Sequence, residues 1–184
     1  MAVASSNDNF RANDNFRVTL ILGGARSGKS AHGEALAERR SGALVYLATA
    51  EAGDHEMAAR IAAHRARRGA RWTTIEEPLE LTRELGRGAT PEGAVLVDCL
   101  TLWLANLIAA GRNAEAEGDA LAATLASLPG AAILVSNEVG LGIVPDNRAA
   151  RAFRDHAGRL HQRIATAADR VLFMAAGLPL ILKG

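Results

Sequence analysis

Val18-Thr-Leu-Ile-Leu-Gly23-Gly-Ala-Arg-Ser-Gly28-Lys29-Ser30 is the stretch whose reading decides the fold. Residues 18–22 are apolar at nearly every position, as a strand covered on both faces requires. The eight residues that follow match G-x-x-x-x-G-K-[ST], and Lys29 opens a helical pattern. A chance match in a chain of this length has a probability on the order of 10⁻³. Strand, glycine-rich turn and helix in that order make a phosphate cradle. Glycines let successive N–H groups point inward as an anion nest, and the helix N-terminus adds partial positive charge. The pattern predicts that Gly23, Gly24, Ala25, Arg26, Ser27 and Gly28 supply the backbone of the cradle. Lys29 reaches the β- and γ-phosphates, and the Ser30 hydroxyl faces Mg²⁺. The chain has two lysines against nineteen arginines, and one of the two stands here. A compact ammonium fits this turn where a planar guanidinium does not.

Outward from the cradle, short apolar runs alternate with helical patterns. Strands are predicted over 18–22, 43–48, 94–97, 132–136, 170–175 and 178–183. Helices are predicted over 29–40, 56–68, 78–85, 101–110, 115–128 and 147–168. Alternation of this kind implies an α/β domain of the P-loop type, with a mostly parallel sheet between helices. The last two strands are separated only by Gly177 and one neighbour, which predicts an antiparallel C-terminal edge hairpin. Residues 1–17 are polar and repeat the pentapeptide Asn-Asp-Asn-Phe-Arg at 7–11 and 13–17. They read as a frayed tail ahead of a single domain over 18–184.

Composition narrows the function. Net charge is +1 over 184 residues, which argues against a nucleic-acid binder driven by bulk charge. A single cysteine, Cys99, excludes an intramolecular disulfide and a multi-cysteine zinc site, the usage of a reducing compartment. The most apolar stretch, 95–110, is broken by Asp98, Thr101 and Asn106, so no stable membrane insertion is expected. The N-terminus has neither a basic nor an apolar leader segment, so a cytoplasmic location is expected.

Asp98 directly follows a buried strand, where an acid beside the cradle holds Mg²⁺ through water. The other reading of Asp98 is a cap for the helix at Thr101. No Asn-Lys-x-Asp motif occurs, so a GTPase switch is disfavoured. A small-molecule kinase suits the size, with arginines stabilising the migrating phosphoryl group. The segment 60–71 places five arginines around His64, and helical spacing puts Arg60, His64 and Arg67 or Arg68 on one face. Composition alone makes this a solvated basic face.

Longer motifs extend the comparison over the whole chain after the tail. They are Gly-Gly-Ala-Arg-Ser-Gly-Lys-Ser at 23–30, Ala48-Thr49, Glu56-Met-Ala-Ala-Arg-Ile61 with His64-Arg65, and Trp72-Thr-Thr-Ile-Glu76. Val97-Asp98-Cys-Leu-Thr101, Ser136-Asn-Glu-Val-Gly-Leu-Gly-Ile-Val-Pro145, Asn147, Arg151-Ala-Phe-Arg-Asp155 and Gly158 complete the series. In these the chain resembles the bifunctional adenosylcobinamide kinase/adenosylcobinamide-phosphate guanylyltransferases of cobalamin synthesis. The resemblance implies two reactions. A nucleoside triphosphate phosphorylates the aminopropanol hydroxyl of adenosylcobinamide. A histidine then takes GMP from GTP and passes it to adenosylcobinamide phosphate, giving adenosylcobinamide-GDP and pyrophosphate. GTP, with ATP as a second candidate donor, and Mg²⁺ are the implied small molecules, and a homo-oligomer of the trimer type is the implied assembly.

The same resemblance makes His64 the guanylylated residue. It puts Thr49, Ala50, Glu51, Arg65 and Glu76 with the nucleotide, beside the cradle and Asp98. Flanking arginines disfavour the imidazolium, which keeps a nucleophilic ring neutral, and they also neutralise triphosphate charge. Arg60, Glu138, Asn147 and Arg151 are the further candidates for substrate or loop roles. Glu138 follows a buried strand on the rim where open α/β sheets bind ligands, and it either orients a substrate group or caps nearby N–H groups. The glycines at 140 and 142 suggest a loop that closes over substrate. His55, His32, His156 and His161 are weaker candidates, His32 as a helix-packing or solvent-facing residue. Two other readings remain: a P-loop kinase for another metabolite without guanylyl transfer, and a non-catalytic nucleotide-binding regulator.

Overall fold

A computed structural model describes residues 16–50 and 69–184. The expected helix over 56–68 and all but two residues of the expected tail lie outside the described residues. The elements are β1 (Val18–Gly23), α1 (Lys29–Glu38), β2 (Leu44–Ala48), β3 (Trp72–Glu76), α2 (Leu81–Gly88) and β4 (Ala94–Asp98). They continue as α3 (Leu100–Ala109), α4 (Ala114–Ser127), β5 (Ala131–Val135), α5 (Arg148–Ala167), β6 (Arg170–Ala175) and β7 (Leu178–Lys183).

The seven strands form one sheet in the order β3-β2-β4-β5-β1-β6-β7, parallel except for the β6–β7 pair. The runs of successive apolar residues are the central strands. Every residue of β2 and β5 is buried, as both faces are covered. On one face Leu20, Leu47, Val97 and Leu134 pack with Leu81, Trp103, Leu121 and Leu160 from α2, α3, α4 and α5. On the other, Ile21, Tyr46, Leu96, Ile133 and Leu172 pack with Ala37 of α1. Burying each large apolar side chain contributes roughly 1.5–3 kcal/mol. α1 lies close to the sheet because its inward residue is Gly33, whose missing Cβ would sit 2.9 Å from Leu96 Cδ1.

Strand order creates the site. From β1 the chain runs over the α1 face toward β2, whereas from β5 it runs over the opposite face through α5 to β6. The two connections diverge above neighbouring strands, and the crevice at their carboxyl ends is where such sheets bind ligands.

Two local expectations change. Trp72–Glu76 is a strand at the sheet edge, in parallel register with β2. Its half-buried, threonine-rich pattern lacks the continuous apolar run of the inner strands, although its β-branched content carries the signal. Contacts with the sheet also reach one residue ahead of Val18. Arg17 donates its backbone N–H to Asp169 Oδ2 at 3.0 Å and its guanidinium to the Leu128 carbonyl at 3.2 Å. The C-terminal hairpin is as expected, turning at Ala176 and Gly177 with φ of 51° and 82°, the left-handed pair of a two-residue turn.

Candidate active site

The loop 23–30 joins the carboxyl end of β1 to the first turn of α1. Gly28 takes φ 97° at the helix N-cap, and a Cβ there would stand 3.2 Å from Gly177 Cα. Gly177 in turn donates its N–H to the Ser27 carbonyl at 3.0 Å, so the β6–β7 turn buttresses the loop from outside. Lys29 is 6% exposed, and its Nζ donates to the Gly24 carbonyl at 2.5 Å. Burial pushes its ammonium below the ordinary lysine range, with Cys99 and Asp98 acting in the opposite direction. Its charge therefore lies folded across the loop that surrounds it.

Parallel register sets a row of residues along the rim. Glu76 pairs with Ala48, Ala48 with Asp98, Asp98 with Val135, and Val135 with Ile21. Asp98 thus stands two strands from the cradle and Glu76 four, roughly 19 Å at about 4.8 Å per strand. Asp98 Oδ2 accepts the Tyr46 hydroxyl at 2.6 Å, which orients the carboxylate. The helix-cap reading of Asp98 does not hold, because Cys99 is the N-cap of α3 and no side chain caps it. Among the described residues no cluster of three His, Cys, Asp or Glu side chains could hold a metal.

Thr49 is wholly buried; its hydroxyl donates to the Cys99 carbonyl at 2.8 Å and accepts the Cys99 N–H at 2.9 Å. It locks the ends of β2 and β4 together. Glu51, Arg60, His64 and Arg65 follow Ala50 in the sequence. Those four residues lie outside the described residues, as does His55. Glu76 is exposed at the end of β3.

The loop after β5 carries the other candidates. Glu138 donates its backbone N–H to the Gly23 carbonyl at 3.0 Å. Its carboxylate accepts from Gly140 N at 2.7 Å and Leu141 N at 3.0 Å. Of its two expected roles, the structure displays the capping one. Asn147 caps α5 by accepting from Ala150 N at 2.7 Å, and Arg151 donates to the carbonyls of Pro145 and Asp146. All three side chains hold the loop's two ends. Glu138→Ala should therefore free the turn. Loss of hydrogen bonds from one charged acceptor costs about 1–3 kcal/mol, so limited proteolysis within 139–144 should speed up roughly 5–160-fold. An unchanged cleavage rate would contradict the capping role.

Sequence reasoning missed three features. Tyr46 reaches Asp98 across two strands. Buried His161 of α5 meets Ser136 Oγ through Nε2 at 2.7 Å, and burial lowers its basicity while the Glu138 carboxylate opposes this. A cavity of about 520 Å³ lies against the cradle, lined by Gly24, Ser27, Glu138, Leu141, Phe173 and Met174 among others. Local patterns carry no signal for such contacts between distant segments. His32 is partly buried, and its basicity is lowered by burial and by Arg170. His156 Nδ1 lies 3.1 Å from Glu115 on the α4–α5 surface.

The cobinamide kinase / cobinamide phosphate guanyltransferase family model matches residues 19–182. The chain is 54% identical over 167 residues to the bifunctional adenosylcobalamin biosynthesis protein CobP of Pseudomonas aeruginosa, covering 90% of this chain and 96% of that one. It is 41% identical over 181 residues to the bifunctional adenosylcobalamin biosynthesis protein CobU of Salmonella typhimurium, at 90% and 99% coverage. Among solved structures, the flagellar accessory protein FlaH of Methanocaldococcus jannaschii superposes with a TM-score of 0.54 at 17% identity. The match spans 91% of this chain and 78% of that one, a likeness of fold alone.

Proposed function

The chain belongs to the cobinamide kinase/cobinamide phosphate guanyltransferase family of cobalamin biosynthesis, and we propose that it carries out both transfers from one phosphate cradle, with His64 as the covalent carrier of GMP. In the first reaction the aminopropanol hydroxyl oxygen of adenosylcobinamide attacks the γ-phosphorus of GTP or ATP. The bond to the β-phosphate oxygen breaks, the nucleoside diphosphate leaves, and the hydroxyl proton passes to solvent. In the second, an imidazole nitrogen of His64 attacks the α-phosphorus of GTP and pyrophosphate leaves. A phosphate oxygen of adenosylcobinamide phosphate then displaces histidine, forming adenosylcobinamide-GDP.

The observation that carries this reading is the buried Lys29 at the mouth of an amide-lined loop, within a chain matched by the family almost from end to end. Lys29 and the loop N–H groups would bind the phosphates and neutralise charge as the P–O bond breaks. Ser30 and Asp98 would hold Mg²⁺ together with phosphate oxygens and water. One hydroxyl and one carboxylate fit an ion that arrives with its nucleotide. That ion supplies further charge neutralisation. Ala50, Glu51, Arg65 and Glu76 make the rest of the nucleotide site, and Thr49 serves it by tying the end of β2 to that of β4. Arg60, with Arg65, would act on the leaving pyrophosphate. Asn147, Arg151 and Glu138 serve by shaping the loop beside it.

The test uses two labels. γ-Labelled nucleotide should pass its phosphoryl group to adenosylcobinamide. α-Labelled GTP should leave an acid-labile, base-stable adduct on the protein, chased by adenosylcobinamide phosphate. Phosphoryl transfer with no adduct would favour a kinase without guanylyl transfer, and neither activity would favour a regulator.

Self-association belongs to the same reading. The edge strand β7 exposes Leu178, Leu180, Ile181 and Leu182, a run that a lone edge does not leave bare. We assign it to contacts between copies in a homotrimer. Leu180→Glu with Leu182→Glu should reduce the mass measured by light scattering to that of one chain. An unchanged oligomer would refute β7 as the contact. Among the described residues no helix is long and apolar enough to cross a membrane. The single buried Cys99 suits the reducing cytoplasm, where we place the enzyme.

A further inference from the structure

We infer that the cavity beside the phosphate loop receives the apolar body of the phosphoryl acceptor, with the loop 139–144 as a preformed ledge for a large amphiphilic molecule. This rests on the kinase reading above and adds where the acceptor sits. The cavity's walls include Gly24 and Ser27 of the phosphate loop itself, so its occupant would border a triphosphate held in the cradle. Phe173, Met174 and Ala175 form another side at the end of β6, and Val139 and Leu141 a third. Among the described lining residues Glu138 is the one ionisable side chain, and both its oxygens are engaged by Gly140 and Leu141 N–H groups. What remains is apolar surface, which has little to offer a second phosphate or a purine edge and much to offer hydrocarbon.

The ledge extends that surface beyond the cavity. Leu141, Ile143 and Val144 are 81%, 97% and 59% exposed. Such residues on a slack loop would collapse inward, but this loop is pinned at both ends. Glu138 fastens its start to Gly23, and Arg151 and Asn147 fasten its finish to α5. The apolar tips are held outward next to a group-transfer site. An acceptor that joins one reactive hydroxyl to a broad, largely apolar body meets both features at once: its hydroxyl toward the cradle, its body on the ledge. A volume of about 520 Å³ accommodates the reactive arm and an edge of the body, leaving the remainder on Ile143 and Val144.

The full-length protein carrying both Leu141→Ser and Ile143→Ser tests this, since neither side chain supports the core. Cobinamide is the probe, bound without nucleotide in equilibrium dialysis and read by its visible absorbance, then used as substrate at saturating GTP. Cobinamide affinity and KM should weaken about tenfold, with the KM for GTP within about twofold and the light-scattering mass unchanged. Unaltered cobinamide binding would overturn the inference. So would a selective rise in the KM for GTP, which would make the cavity a base pocket. A loss of oligomer whose reversal at high protein concentration restores cobinamide affinity would overturn it as well, and would make the ledge a subunit contact. If the wild-type protein binds cobinamide but does not phosphorylate it, and the variant loses that binding, the subsite stands and the kinase reading fails.

Discussion

Lys29→Ala is expected to lose both phosphoryl and guanylyl transfer, each by about 10²–10³-fold in kcat, while the protein stays folded. Lys29 is almost wholly enclosed and its Nζ is bonded to Gly24 within its own loop. Removing the ammonium leaves the loop amides intact, so nucleotide still finds the nest, but charge developing on the bridging oxygen has no counterpart. Both reactions break a phosphoanhydride bond of a nucleoside triphosphate, one at the γ- and the other at the α-phosphorus. A shared cradle therefore predicts a shared loss. Lys29→Arg should rescue neither, because a planar fork needs more room than the turn between Gly24 and Ser27 leaves. The fold should not suffer, because burial makes the native charged lysine a cost rather than a support. Initial rates with γ- and α-labelled GTP, beside a thermal melt, decide it. Loss of one activity with the other retained would mean two separate triphosphate sites.

The ease of reading this chain follows from where its signals are local. The cradle is eight contiguous residues with a strand before and a helix after, so its backbone amides and the Lys29 side chain come together without a distant partner. The buried strands β1, β2, β4 and β5 were legible for a related reason, since burial on both faces requires unbroken apolar runs. β3 was less visible because it lies at the sheet margin, where Ile75 and Trp72 reach opposite core clusters but no position is fully covered, so Trp72-Thr-Thr-Ile-Glu76 mixes exposed and half-buried positions. The place of Asp98 at a strand end was legible, but its partner Tyr46 was not. That pairing depends on which strands lie side by side, and β2 and β4 are joined only by the strand order.

The loop after β5 shows the opposite limit. Glu138, Asn147 and Arg151 stood out as a family-like cluster around exposed apolar residues, and each proves to be engaged with backbone at the loop's ends. A polar residue that shapes a loop and one that touches a ligand look alike in sequence. Hydrogen-bond partners separate them. The same applies to Thr49, whose hydroxyl is consumed by both backbone groups of Cys99.

His64→Ala should abolish the GMP adduct and lower guanylyl transfer by at least about 10³-fold, while phosphorylation of adenosylcobinamide stays within about threefold of wild type. The asymmetry follows from the two electrophiles. The γ-phosphorus is attacked by the acceptor's own hydroxyl and needs no protein nucleophile, whereas the proposed route to the α-phosphorus runs through a histidine-bound intermediate. The proposed carrier is flanked in sequence by Arg60, Arg65, Arg67 and Arg68, and like charge of that kind would disfavour a cationic ring. The same guanidinium groups are suited to leaving pyrophosphate, so Arg65→Ala should slow adduct formation without removing it. His64→Asn, which keeps polarity and much of the volume, should behave as His64→Ala does, because only a nucleophilic nitrogen carries the step. Separate assays of labelled adduct, labelled product and phosphorylated acceptor on one preparation make the comparison. Equal loss of both activities in a folded His64→Ala protein would tie the residue to nucleotide binding as a whole and remove it as the GMP carrier.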